Sequence, residues 1–168
     1  MNRFENLLRG NDLRSIGNSN KIVALVNDQK KFDELFQNLF VENRTVVMCA
    51  ADAIEKISLK DPAYLQPHKK EILNLFGEAK NKELQWHLAL LAPRVVWNEI
   101  ESKKLLDVLK TWATNKAISN IVRVNSIQAV YEFWQQGKFS EEDFKQIISE
   151  IRKENVPSIK ARIRKLSF

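Results

Sequence analysis

The sequence predicts an all-α protein, a right-handed α-solenoid (superhelix) of about four helix pairs behind an N-terminal helical cap. Three observations lead there. Apolar residues recur at helical spacing along nearly the whole chain, and period-2 alternation is almost absent. Glycine and proline are scarce, four of each among 168 residues, which argues against a turn-rich β-sandwich or barrel and excludes collagen-like and Gly/Pro-rich disordered chains. Helical segments come in pairs that repeat. A length of 168 residues with 44% apolar and 29% charged side chains suits one domain with a sizeable core.

Phe4, Leu7 and Leu8 open a short helix for which Gly10 is a stop, and Gly17-Asn18-Ser19-Asn20 reads as the cap region before a second helix with Ile22, Val23 and Val26. A third carries Phe32, Leu35, Phe36, Leu39 and Phe40, with Asp28 placed to accept its first backbone N–H groups. The next runs from Arg44 to Ser58 with Val47, Ala50, Ile54 and Ile57 on one face. Asp61-Pro62 caps and opens a short turn toward Leu65. Ile72, Leu75 and Phe76 form the stripe of a helix closed by Gly77. A helix from Glu83 to Leu91 comes next, with Pro93 ending or kinking the segment that reaches Trp97. Leu105, Leu106, Val108, Leu109 and Trp112 define another. From Ile118 to Trp134 a long helix has two apolar stripes, as expected of one packed between neighbours. Ser140 followed by Glu141, Glu142 and Asp143 is a strong helix start, and Pro157-Ser158 opens the last helix with Ile159, Ile163 and Leu166.

Aligning the second helix of each pair puts Val46, Leu84, Val122 and Ile159 in register; the first helices align on Phe36, Leu73, Leu109 and Ile147. Both sets repeat at about 38 residues, the period of stacked helix pairs that bury their apolar faces on one another. The expected division of the single domain, 1–168, is a cap at 1–27 and repeats at about 28–60, 61–98, 99–137 and 138–168.

The stretch Val122-Arg123-Val124-Asn125-Ser126-Ile127-Gln128-Ala129-Val130 resembles the second helix of a HEAT repeat, which favours V-R-x-x-A-x-x-A-L. Val46 to Ile54 is similar in its apolar and small positions, with Val47 where that family prefers a basic residue. Leu84 to Ala92 and Ile159 to Ser167 are similar more loosely. The likeness covers roughly residues 28–168 and extends to small bacterial HEAT-like proteins in the armadillo-like class. It implies a scaffold that binds partners on the concave face lined by second helices, and it carries over no catalytic role.

Chemistry-bearing patterns are few. His68 and His87 fall in different repeats with no Cys, Asp or Glu at ligand spacing, no glycine-rich phosphate loop is present, and no metal, cofactor or catalytic activity is expected. The single Cys49, in an apolar run, reads as a buried thiol. The first residues have no signal-peptide core and no stretch is long enough to span a membrane, so a cytoplasmic protein without membrane contact is expected.

Two surfaces are candidates for partners. The line Trp86, Leu90, Pro93/Arg94 and Trp97 has helical spacing, although the tryptophans equally suit inter-repeat core. Arg44 with Met48, Asp52 and Glu55 forms a neighbouring strip, and Arg123 and Gln128 a third. Arg44, Arg94 and Arg123 at comparable turns would give a basic, partly apolar groove for another protein, and replacing Arg94 and Arg123 together is expected to spare stability. Lys160, Arg162, Arg164 and Lys165 form a basic patch within a net charge of +6. That patch is a solvated helix end, or the phosphate-contacting face of a nucleic-acid binder, which is the alternative function.

Overall fold

Polar side chains open most of the helices. The computed structural model describes Phe4, Leu7, Leu8 and residues 17–168; among them are nine α-helices and no strand. The helices are α1 (Gly17–Leu25), α2 (Gln29–Phe36), α3 (Arg44–Lys60), α4 (Lys69–Glu78), α5 (Lys82–Leu91), α6 (Glu99–Thr114), α7 (Asn120–Gln135), α8 (Glu141–Arg152) and α9 (Pro157–Lys165). Tight 3₁₀ turns come after α2, α3 and α5, at Gln37–Phe40, Pro62–His68 and Ala92–Arg94. Asp28, Asn43, Asn81, Asn98 and Ser140 each accept a backbone N–H from the first turn of the helix they precede, satisfying donors that the helix itself leaves unpaired. Gly17 to Asn20, expected as a cap, instead form the first turn of α1. Phe4 and Leu8 are fully buried and joined by a Leu8 N–H to Phe4 carbonyl bond of 2.9 Å, while the Gly10 stop lies outside the described residues.

The chain divides into two compact units, Met1–His68 and Lys69–Phe168, so the division falls inside the second expected repeat. In the first unit α1, α2 and the two 3₁₀ turns pack on α3. This surrounds α3, and Val46, Val47, Cys49, Ala50, Ala51, Ala53, Ile54 and Ile57 are all buried. In the second unit α4 pairs with α5, α6 with α7 and α8 with α9. The first helices form one row, α4 on α6 and α6 on α8, and the second helices another, α5 on α7 and α7 on α9. Helix α7 thus meets α5, α6, α8 and α9. Both its stripes are used: Val122, Ser126, Ala129, Val130 and Phe133 are buried, as are Ile127 and Tyr131. Ser126 fits there because its hydroxyl donates to the Val122 carbonyl at 2.8 Å within the same helix.

The end of α7 turns on Gly137, the single residue with positive φ (69°) among those described. The Lys138 N–H bonds the Phe133 carbonyl and the Gly137 N–H bonds that of Trp134, both at 2.9 Å, a Schellman closure that sends the chain back toward α8. Among the described residues no helix is long and apolar enough to cross a membrane.

Candidate functional site

One register position closes the helix pairs of the second unit. Gln85 and Arg123, each the residue after the aligned Leu84 and Val122, both reach back to the end of the preceding helix. Gln85 Nε2 donates to the Ala79 carbonyl and Arg123 Nε to the Ala113 carbonyl, each at 3.0 Å. Lys160, in the same register, donates to Asn155 in the turn before α9 at 2.7 Å. Arg123 reaches farther: its Nη2 lies 2.8 Å from Glu154, in the turn between α8 and α9. Its side chain is 2% exposed.

Arg123 therefore departs from the expectation made for it. Its guanidinium is buried with Nε and Nη2 engaged, so it joins helices rather than lining a surface groove. The aligned Val47 is also buried, and α3, enclosed by its neighbours, has no arginine to accommodate at that position.

The line Trp86, Leu90, Pro93/Arg94 and Trp97 also breaks. Trp86 and Leu90 stand one turn apart on α5, both partly exposed, but α5 ends at Leu91 and the 3₁₀ turn redirects the chain beyond it. Pro93 is buried, and Trp97 is 3% exposed with its Nε1–H donated to the Ala92 carbonyl at 2.7 Å, so Trp97 is core. The Lys69 ammonium covers its ring at 5.7 Å. Arg94 is half-buried beside a cavity of about 190 Å³. The Gln136 side chain, donating to the Pro93 carbonyl at 2.8 Å, ties the far wall of that cavity to the turn. Trp86 differs from Trp97: its ring is partly exposed, yet its Nε1 is shielded from solvent and finds no acceptor among the described residues. Arg44 is exposed and Met48 half-buried, one turn apart on α3 in the first unit.

The basic patch on α9 divides around the buried Ile159 and Ile163. Lys160 and Arg164, four residues apart, lie on one flank, and Arg162 and Lys165, three apart, on the other. Arg162 is engaged with Gln128 of α7 at 3.0 Å; Arg164 and Lys165 are exposed.

Two polar clusters lie in contacts that sequence spacing does not reveal. In the first unit His68 stacks on Phe36 at 4.0 Å, with Nε2 2.7 Å from Asp33 Oδ1; Gln29 donates both to that carboxylate and to the Tyr64 carbonyl. Lys56 donates to Ser19, Asn20 and Asp52, and the Ser19 hydroxyl donates to Asp52, so this group fastens α1 to α3. Both read as fastenings between elements, and among the described residues no three His, Cys, Asp or Glu are grouped to hold a metal ion. Cys49, the single cysteine of the chain, is buried and in no disulfide. Sequence reasoning also missed the most exposed aliphatics, Val96 at 74% and Ile100 at 71%, which flank the capped start of α6. Comparison with protein-family models, curated proteins and solved structures finds no match to this chain.

Proposed function

We propose that the chain is an interaction scaffold, a right-handed solenoid of HEAT-like helix pairs that binds another protein along the side formed by its second helices. The carrying observation is on α5. Trp86 and Leu90 are left partly exposed one turn apart on a helix whose other long apolar residues, Leu84, Leu88 and Leu91, are buried. Beside it in the same row, α7 presents Ile121, Asn125, Gln128 and Glu132 as exposed or half-buried residues. A large aromatic with an adjoining aliphatic and a polar rim is the composition in which binding energy concentrates. The setting in this reading is the cytoplasm, where Cys49 stays a thiol.

The test begins with a partner identified by crosslinking in the native host and then purified. Titrated calorimetrically, Trp86→Ala and Leu90→Ser should each weaken binding about tenfold or more while thermal melts show the fold retained. Undiminished affinity in folded variants rejects this surface. Retention of the chain on a nucleic-acid column at low salt, with no protein partner recovered, would put the phosphate-binding alternative in its place.

A further inference from the structure

Beyond the acidic first turn of α8, Glu141 to Asp143, the last helix pair is strongly basic. Residues 144–168 contain seven Lys and Arg against two Glu, or +5 of the +6 of the whole chain. Of the two acids, Glu154 is engaged by Arg123. Three of the cations, Lys145, Arg152 and Lys153, border a cleft of about 620 Å³ along α8, and the rest of its lining is Ile148, Ser149 and Phe168, with no acidic side chain. Lys145 pairs with Glu141 at 2.6 Å, whereas Arg152 and Lys153 have no carboxylate partner among the described residues. Phe168 is 45% exposed and held in place by near-perpendicular contacts with Phe144 and Trp134 at 5.1 and 6.5 Å. The Arg152 guanidinium lies over its ring at 5.2 Å.

We propose that this cleft docks an acidic segment of a partner protein that also carries an apolar anchor. The cations select the acid. Lys145 and Arg152 stand two turns apart on one side of α8, roughly 10 Å along the helix, a spacing that a peptide with carboxylates on successive turns can match. The exposed Phe168 ring, with Ile148 beneath, selects the anchor. A single-stranded nucleic acid fits less well. Its bases need an open aromatic face to stack on, and Arg152 already occupies one face of Phe168. This surface is separate from the strip on α5 and α7, so either proposal can fail without the other.

The probe is a short fluorescein-labelled peptide of Glu and Asp around a central Leu-Phe pair, followed by anisotropy against the full chain at low salt. Arg152→Ala with Lys153→Ala should weaken binding about tenfold. Arg164→Ala with Lys165→Ala removes the same charge from α9 and should change affinity less than about twofold. Replacing Leu-Phe in the peptide by Gly-Ser should also lower affinity, and thermal melts establish that both variants are folded. The proposal is overturned if the peptide does not bind. It is equally overturned if both double variants weaken it alike, if the Gly-Ser peptide binds as well, or if oligo(dT) of equal charge binds more tightly.

Discussion

Arg123 and Glu154 meet at 2.8 Å across 31 residues of chain, with side chains only 2% and 10% exposed. The contact links the start of α7 to the turn between α8 and α9, and Arg123 also holds the Ala113 carbonyl near the end of α6. One buried side chain thereby joins two successive helix pairs. Truncating one member of such a pair leaves the other charge buried and unpaired.

Arg123→Ala is accordingly expected to cost about 3–5 kcal/mol in urea denaturation. Arg123→Lys should be nearly as damaging, since a single ammonium cannot reproduce the fork that serves both the carbonyl and the carboxylate. An Arg123→Ala variant as stable as the parent would show that the link contributes nothing to the fold.

Glycine substitutions should act with opposite signs at two sites where an added Cβ meets open space. Gly77 lies inside α4 with ordinary helical backbone, so Gly77→Ala should stabilise by about 0.5–1 kcal/mol. Gly137 has a φ of 69°, and Gly137→Ala should destabilise by about 1–2 kcal/mol through backbone strain alone. Chemical denaturation of the two variants checks both signs.

The tryptophans can be separated by removing the indole N–H together with its fused ring. Trp97→Phe removes the 2.7 Å donor of the buried Ala92 carbonyl, which keeps the longer 3.4 Å bond from the Val95 N–H, and should cost about 0.5–1.5 kcal/mol beyond the loss of ring volume. Trp86→Phe forfeits no hydrogen bond and should be the milder change. Equal losses in thermal melts would contradict the assignment of Trp97 to the core and of Trp86 to the surface.

Acid sensitivity should have two identifiable contributors. The Lys31 backbone N–H bonded to Asp28 holds that carboxyl below its ordinary 3.8, and the Lys69 ammonium beside Glu101 holds that one below 4.5. A depressed folded value means stability present above the ordinary value and lost as pH falls through the depressed one. Melting temperature should therefore hold near neutrality and decline progressively below about pH 4.5. Asp28→Asn and Glu101→Gln keep a cap acceptor but cannot titrate, so each should flatten part of the decline. An unchanged acid slope in both variants would show that these carboxylates do not govern it.

The second helices were more legible in the sequence than the first. Val46, Leu84, Val122 and Ile159 are each the third residue of their helix and all buried, because these helices begin at one register and each turns that position into the core of its own unit. Among the first helices the alignment is looser. Leu73 is only half-buried, and α4 turns Ile72, Leu75 and Phe76 inward, because the first helices differ in length and start. The surfaces were harder to read. Helical spacing carries Trp86 on to Trp97, yet a 3₁₀ turn at Pro93 resets the direction. Spacing alone also cannot distinguish an arginine that lines a groove from Arg123, whose partners lie 10 and 31 residues away. The cleft on α8 left a compositional trace in the surplus of Lys and Arg after Phe144, but its aromatic wall comes from Phe168, sixteen residues beyond Arg152.

The position of α7 has a consequence for how the second unit opens to solvent. A helix that touches α5, α6, α8 and α9 cannot expose its backbone without displacing several of them. Its central amides, from about Ser126 to Phe133, should then exchange with deuterium last, at the rate set by opening of the whole unit. Those of α9, seated through Ile159 and Ile163, should exchange earlier by local fraying. The slow core of the unit would thus be a single helix rather than a layer, and a substitution in α7 would be felt in the exchange rates of all four helices around it.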